Sequence, residues 1–121
     1  MWKLKYKTDF SAAHSLKETG SLKTSKCKNL HGHNYFVEIT IRTNKLVDDM
    51  VIDFKELKEI IDELDHKFLN EFIENPTAEN ISRYIYDKVS EKMKKRNLDF
   101  SLEVEVKETE NSSVIYSEDN L

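Results

Sequence analysis

The fold and the chemistry of this chain both depend on one stretch, Cys27-Lys28-Asn29-Leu30-His31-Gly32-His33-Asn34-Tyr35. Apolar and polar residues alternate from His31 to Arg42, which predicts a β-strand that opens at the His-Gly-His sequence. Residues two apart on a strand point to the same side, so His31 and His33 are expected to project together. Imidazole is the commonest metal-binding side chain, and two on one face make half of a metal site.

A first strand is predicted before this stretch, from Trp2 to Phe10, with apolar residues on one face and lysines on the other. The apolar parity continues to His14, at the end of that face. The polar stretch 15–26 reads as a loop that returns the chain to Cys27. An antiparallel pair joined by this loop would hold His14, Cys27, His31 and His33 together at one end.

The remainder of the chain predicts two helices and then two strands. The sequence Asp53-Phe54-Lys55-Glu56 has the spacing of a capping box, and a helix is expected from about residue 54 into the sixties, with Asp65-His66 near its end. Thr77 caps a second helix that ends near Arg96. Strands are expected over 100–107, followed on the inward face by Glu108, and over 114–116.

The predicted order is therefore β-β-α-α-β-β, an α+β fold in which a four-stranded antiparallel sheet carries two helices on one face. We expect residues 1–121 to form a single domain. Such a sheet has two open edges, which invite pairing with another copy of the chain.

Composition limits the classes of function. The chain has 121 residues, a formal net charge of -4 and one cysteine. The negative balance argues against non-specific binding to nucleic acid or to an anionic membrane. A single cysteine cannot form an intrachain disulfide, and neither a signal core nor a membrane-length apolar run stands out. The expectation is a soluble cytoplasmic protein.

The histidines predict a zinc site with an open position. Three imidazoles, from His14, His31 and His33, would leave the fourth tetrahedral position for water or substrate, as in catalytic sites. Cys27 then has two interpretations: a fourth ligand that closes a structural site, or a base beside the metal. The alternative to a metal site is a pair of surface histidines at a strand start.

Two acidic positions have alternative interpretations as well. Asp65-His66 is either a helix-end feature favoured by the helix dipole or a dyad in which the carboxylate tunes the imidazole for proton transfer. Glu108 either marks the rim of the sheet or anchors a ligand that presents several N–H donors.

Six motifs occur in an order that resembles one known family. They are Phe10-Ser11-Ala12-Ala13-His14, Cys27-x-x-x-His31-Gly32-His33, Val51-Ile52-Asp53-Phe54, Leu64-Asp65-His66-x-x-Leu69-Asn70, Asn75-Pro76-Thr77-x-Glu79-Asn80 and Lys107-Glu108-Thr109. Together they resemble the 6-pyruvoyltetrahydropterin synthase / 6-carboxytetrahydropterin synthase family, over nearly the whole chain.

The resemblance implies the tunnelling fold, in which sheets from three subunits close into a barrel and two trimers stack into a homohexamer. It implies a lyase that acts on 7,8-dihydroneopterin triphosphate and binds it between subunits. His14, His31 and His33 match the Zn²⁺ ligands, and Cys27 matches the proton-abstracting base. Asp65 and His66 match a proton-exchanging dyad contributed by an adjacent subunit, and Glu108 matches the residue that grips the pterin ring.

Two branches of the family share these residues. The compact length and the short loop before Cys27 favour the 6-carboxy-5,6,7,8-tetrahydropterin synthase branch, which releases acetaldehyde and triphosphate and feeds queuosine and other 7-deazaguanines. The alternative is the 6-pyruvoyl branch, which eliminates triphosphate only. A non-enzymatic alternative is a zinc-stabilised structural oligomer in which Cys27 completes a four-ligand site.

Overall fold

A computed structural model describes residues 1–17 and 31–118, with the side chain of His31 excepted. In these ranges the element order is β1 (Trp2–His14), β2 (His31–Thr43), α1 (Phe54–Asp62), a 3₁₀ turn (Leu69–Glu71), α2 (Ala78–Lys95), β3 (Phe100–Thr109) and β4 (Ser112–Tyr116). The predicted β-β-α-α-β-β order is confirmed. No helix in the described ranges is long and apolar enough to cross a membrane.

The four described strands form one antiparallel sheet in the order β1-β2-β3-β4. Alternate residues of β2, from Tyr35 to Ile41, are buried, as are Leu102, Val104 and Val106 of β3. Because alternate residues of a strand share a face, one side of the sheet forms the core with both helices. The opposite side carries charged residues, including the ion pair Lys5–Glu38 at 3.1 Å.

The two helices begin at side-chain caps that the sequence signalled. Asp53 accepts a hydrogen bond from the Lys55 N–H at 2.9 Å, and Thr77 accepts one from the Asn80 N–H at 3.2 Å. Helix α1 buries Leu57, Ile60 and Ile61, and α2 buries a longer stripe that includes Ile85 and Val89. The packing of these stripes fixes both helices on the apolar face of the sheet.

The end of α1 differs from the prediction. The helix ends at Asp62, so Asp65 and His66 lie in the turn that follows it, not within the end of the helix. His66 has a φ of 59°, in the left-handed region. Its N–H donates to the Ser11 carbonyl at 2.6 Å, and the Ala13 N–H donates to the Lys67 carbonyl at 3.0 Å. These bonds to the edge of β1 are incompatible with another helical turn, so tertiary contacts override the continuing apolar spacing.

Candidate functional site

The register of β1 against β2 brings the predicted metal ligands to one end of the sheet. His14 stands opposite His31, and Ala12 stands opposite His33. The rings of His14 and His33 meet edge to face, with their centroids 5.1 Å apart. The hairpin register therefore agrees with the prediction that this end of the pair collects histidines. Cys27 lies outside the described residues, and for His31 only the backbone position is described.

Glu108 joins the two described imidazoles. One nitrogen of His14, one nitrogen of His33 and one carboxylate oxygen of Glu108 all lie within 4.8 Å of one another. His14 is buried, and the other two residues are half-buried. Zn²⁺ binds imidazole nitrogen and carboxylate oxygen at about 2.0–2.2 Å, which places the ligand atoms of one ion roughly 3–4 Å apart. The donor set thus fits a small divalent cation after minor side-chain adjustment.

His14 is held from behind by two groups. Its Nδ1 lies 2.7 Å from the carbonyl oxygen of Pro76 and 3.0 Å from the hydroxyl of Tyr35. Tyr35 is fully buried, and its ring stacks on Phe10 with the centroids 5.0 Å apart. Burial, and secondarily the nearby charge of Glu108, raise the pKa of the Tyr35 phenol above its usual range. The phenol is therefore protonated at neutral pH and remains a hydrogen-bonding partner.

The side chains of Asp65 and His66 contact each other and are called the Asp65–His66 pair below. Oδ2 of Asp65 lies 3.1 Å from Nδ1 of His66, and Oδ1 of Asp65 accepts the Ser11 N–H at 2.9 Å. The bond from Ser11, followed by the attraction of His66, lowers the pKa of the Asp65 carboxyl. A charged carboxylate therefore orients an exposed imidazole.

The pair and the histidine cluster share one surface. His66 and His33 line the same open depression of about 570 Å³, together with Gly32 and Ala13. A Cβ added to Gly32 would meet the Ala12 carbonyl oxygen at 3.8 Å, an ordinary contact, so within the described residues this position has room for a side chain. The depression can thus present a ligand to an imidazole of the cluster and to the imidazole of the pair.

The arrangement agrees with a comparison of the whole chain with known proteins. Residues 3–119 match the 6-pyruvoyl tetrahydropterin synthase family. This chain belongs to that family. The solved structure of Caenorhabditis elegans 6-pyruvoyl tetrahydropterin synthase superimposes with a TM-score of 0.72 at 27% identity, over 98% of this chain and 96% of that one. The four-stranded antiparallel sheet with two helices is therefore the fold of the 6-pyruvoyl tetrahydropterin synthase family.

Relatives within the family carry different activity names. A protein of Archaeoglobus fulgidus, provisionally named 6-carboxy-5,6,7,8-tetrahydropterin synthase, is 44% identical over 89 residues, 70% of this chain and 73% of that protein. The 6-pyruvoyl tetrahydrobiopterin synthase of Dictyostelium discoideum is 37% identical over 125 residues, 88% and 89% of the two chains. The dihydroneopterin monophosphate aldolase of Pyrococcus furiosus is 34% identical over 88 residues, 69% and 71%. The 6-pyruvoyl tetrahydropterin synthase family thus includes several pterin chemistries.

Sequence reasoning missed two features of the site. It assigned Glu108 to the pterin ring, which stays a prediction, and did not anticipate that a carboxylate oxygen of Glu108 lies within 4.8 Å of ring nitrogens of His14 and His33. It also missed the carbonyl of Pro76, because a backbone acceptor leaves no signal in residue identity. The metal set His14, His31 and His33, the base Cys27 and the contribution of Asp65 and His66 to an adjacent subunit stay predictions.

Proposed function

We propose that this chain is a zinc-dependent 6-carboxy-5,6,7,8-tetrahydropterin synthase. It converts 7,8-dihydroneopterin triphosphate and one water molecule to 6-carboxytetrahydropterin, acetaldehyde and triphosphate. The observation that carries the proposal is that His33 and His66 line one depression. His33 belongs to a cluster whose geometry can accept a cation, and His66 is oriented by a charged carboxylate. The Archaeoglobus relative supports the choice of the 6-carboxy product.

In this proposal His14, His31 and His33 hold the Zn²⁺. When bound, the ion supplies Lewis acidity that makes the hydroxyl and C–H protons of a neighbouring substrate side chain easier to remove. Cys27 is proposed to take up a proton from the substrate as thiolate, and a nearby Zn²⁺ would favour the deprotonated thiol. The proximity of the ring nitrogens of His14 and His33 supports their assignment, and the roles of His31 and Cys27 rest on their motif positions.

The chain positions its second proton-transfer group through Asp65. Because Oδ2 of this carboxylate faces Nδ1 of His66, the imidazole donates there and its neutral form keeps the lone pair on Nε2. His66 itself lines the depression. In the proposed reaction His66 exchanges a proton with the substrate at Nε2. Glu108 grips the N–H donors of the pterin ring through charge-assisted hydrogen bonds.

A second candidate is the 6-pyruvoyl reaction. It is favoured by the Dictyostelium relative, which matches a larger share of this chain than the Archaeoglobus relative does. One product assay separates the two. The zinc-loaded protein is incubated with 7,8-dihydroneopterin triphosphate, and the products are identified by mass spectrometry with chemical trapping of acetaldehyde. A 6-carboxy pterin with acetaldehyde supports our proposal, and a 6-pyruvoyl pterin without acetaldehyde refutes it. Turnover of dihydroneopterin monophosphate alone would instead assign the chain to aldol cleavage.

The structural-oligomer alternative is tested with Cys27→Ala. The enzyme proposal predicts retained zinc and lost turnover, because the thiolate acts as a base. A thiolate that is instead the fourth ligand of a closed structural site predicts lost zinc and a less stable fold. Metal analysis and thermal unfolding of the same sample distinguish these outcomes.

The assembly is part of the proposal. Strands β1 and β4 lie at the two edges of the described sheet. We propose that these edges pair between subunits, so that three sheets close into a barrel and two trimers form a hexamer. Native mass spectrometry tests the copy number, and a monomer at micromolar concentration would refute it. We further place this single-domain enzyme in the cytoplasm, with its product feeding queuosine synthesis.

A further inference from the structure

The hydrogen bond behind His14 fixes which of its nitrogens can bind a metal. Nδ1 lies 2.7 Å from the carbonyl oxygen of Pro76. A carbonyl oxygen only accepts, so Nδ1 carries the proton in this contact. The Tyr35 hydroxyl, 3.0 Å from the same nitrogen, can also accept this N–H, and the lone pair of the neutral ring is then on Nε2. A carbonyl in this position selects the tautomer of a metal-binding histidine and sets the direction of its ring.

The Pro76 carbonyl is itself held by a closed turn at the start of α2. The Asn75 carbonyl accepts two hydrogen bonds, from the Thr77 N–H at 2.8 Å and from Nδ2 of Asn80 at 2.9 Å. The side chain of Asn75 accepts the Lys17 N–H at 2.8 Å. Asn75 has a φ of 50°, and the ring of Pro76 fixes the φ of that residue near −65°. Few backbone rotations therefore remain by which the Pro76 carbonyl can turn away from His14.

We infer that Asn80 is a positioning residue for the metal centre. Its amide locks the Asn75 peptide, the turn then aims the Pro76 carbonyl at His14, and His14 is kept in the tautomer that offers Nε2 to a cation. This inference rests on the proposed function for the role of His14 as a ligand. Asn80 is not among the described residues whose ligand atoms form the cluster.

The substitution Asn80→Asp isolates this contact. The side chain keeps its size, but a carboxylate oxygen replaces the donor that faces the Asn75 carbonyl. Asn80 lies in the first turn of α2, three residues after the cap, where a negative charge is favourable to the helix dipole. The added charge alone would also favour cation binding, so a weaker affinity cannot be a charge effect.

Ser82→Ala is the matched control. Ser82 is fully buried, two residues after Asn80 on the same helix, and its hydroxyl donates to the Glu79 carbonyl at 2.7 Å. Its removal costs a hydrogen bond of α2 without touching the turn at Asn75. A loss of metal affinity that merely reflects a weaker helix would appear in both variants.

Two measurements test the inference. Titration with Co²⁺, followed by its visible absorption, should show an affinity about 10- to 100-fold weaker for Asn80→Asp, and unchanged affinity for Ser82→Ala. Nitrogen NMR of isotope-labelled histidine in the metal-free protein should show the Nδ1–H tautomer of His14 in the parent chain and a mixture of tautomers in Asn80→Asp. Equal Co²⁺ affinity and an unchanged tautomer in Asn80→Asp would overturn the inference while leaving the metal centre intact. If the parent chain binds no Co²⁺, the proposed metal centre fails, and the NMR comparison alone then decides whether Asn80 controls the tautomer.

Discussion

Replacement of Glu108 by Gln decides whether this residue serves the pterin ring or the metal. The proposed function gives the carboxylate to the ring, while its oxygen lies within 4.8 Å of ligand nitrogens of both His14 and His33. Glu108→Gln preserves the shape of the side chain and one acceptor oxygen, and it removes the charge. The substitution therefore weakens a charge-assisted contact without opening a cavity.

The magnitude follows from the kind of bond that is lost. A hydrogen bond to a charged group contributes about 1.5–3 kcal/mol, and each 1.4 kcal/mol corresponds to about a tenfold change. If Glu108 binds the ring, kcat/KM should fall about 10- to 150-fold. The affinity for Zn²⁺ should then change by less than about tenfold. Loss of a hydrogen bond to a metal ligand already changes metal affinity by roughly that factor.

The assay measures both quantities on one preparation. Zinc affinity is determined by competition with a chromophoric chelator, and kcat/KM by product formation from 7,8-dihydroneopterin triphosphate. Glu110→Gln is the charge-matched control, because Glu110 is exposed in the turn that follows β3. His33→Ala should lose metal. A Glu108→Gln protein that loses zinc as His33→Ala does would refute the assignment of Glu108 to the ring and make it a metal ligand.

Three further predictions concern neighbouring positions. Tyr35→Phe removes only the hydroxyl at His14 and should destabilise the fold by about 0.5–1.5 kcal/mol, measured by urea denaturation; an unchanged midpoint would mean that the bond contributes nothing. Gly32→Ala should fold normally, because the added methyl group meets the Ala12 carbonyl oxygen at an ordinary 3.8 Å. The variant should turn over substrate more slowly, because the methyl group narrows the depression. Unfolding of this variant would contradict the geometry. Because the pKa of Asp65 is lowered, its contribution to stability is present at neutral pH and is lost below about pH 4. Asp65→Asn should therefore flatten the acid side of a plot of unfolding free energy against pH. An identical acid side would show that the bond from the Ser11 N–H adds no stability.

The strands are predicted well because the alternation of apolar and polar residues shows which side chains face the core and which face outward. The alternation of β1 and β2 fixes which residues point to the core, and the shared parity of His14 and His33 then places both rings at one rim. The prediction of α1 fails at its end for a physical reason. Leu64 and Phe68 continue the helical spacing, but Asp65 and His66 bond to β1 instead, and no local pattern encodes a partner more than fifty residues away. The contact of the Pro76 carbonyl with His14 cannot be predicted from the sequence, because every residue has a backbone carbonyl.

The turn at Asp65–Phe68 covers only the last part of the outer edge of β1. It occupies the N–H and C=O of Ser11 and the N–H of Ala13. In a strand the groups of alternate residues point the same way, so those of Lys3, Lys5, Lys7 and Asp9 face outward along the same edge. In the proposed assembly a strand of a neighbouring copy can therefore pair with β1 only as far as Asp9, because the turn occupies the edge beyond it. The turn that holds Asp65 and His66 would then also limit the register in which two copies of the chain pair.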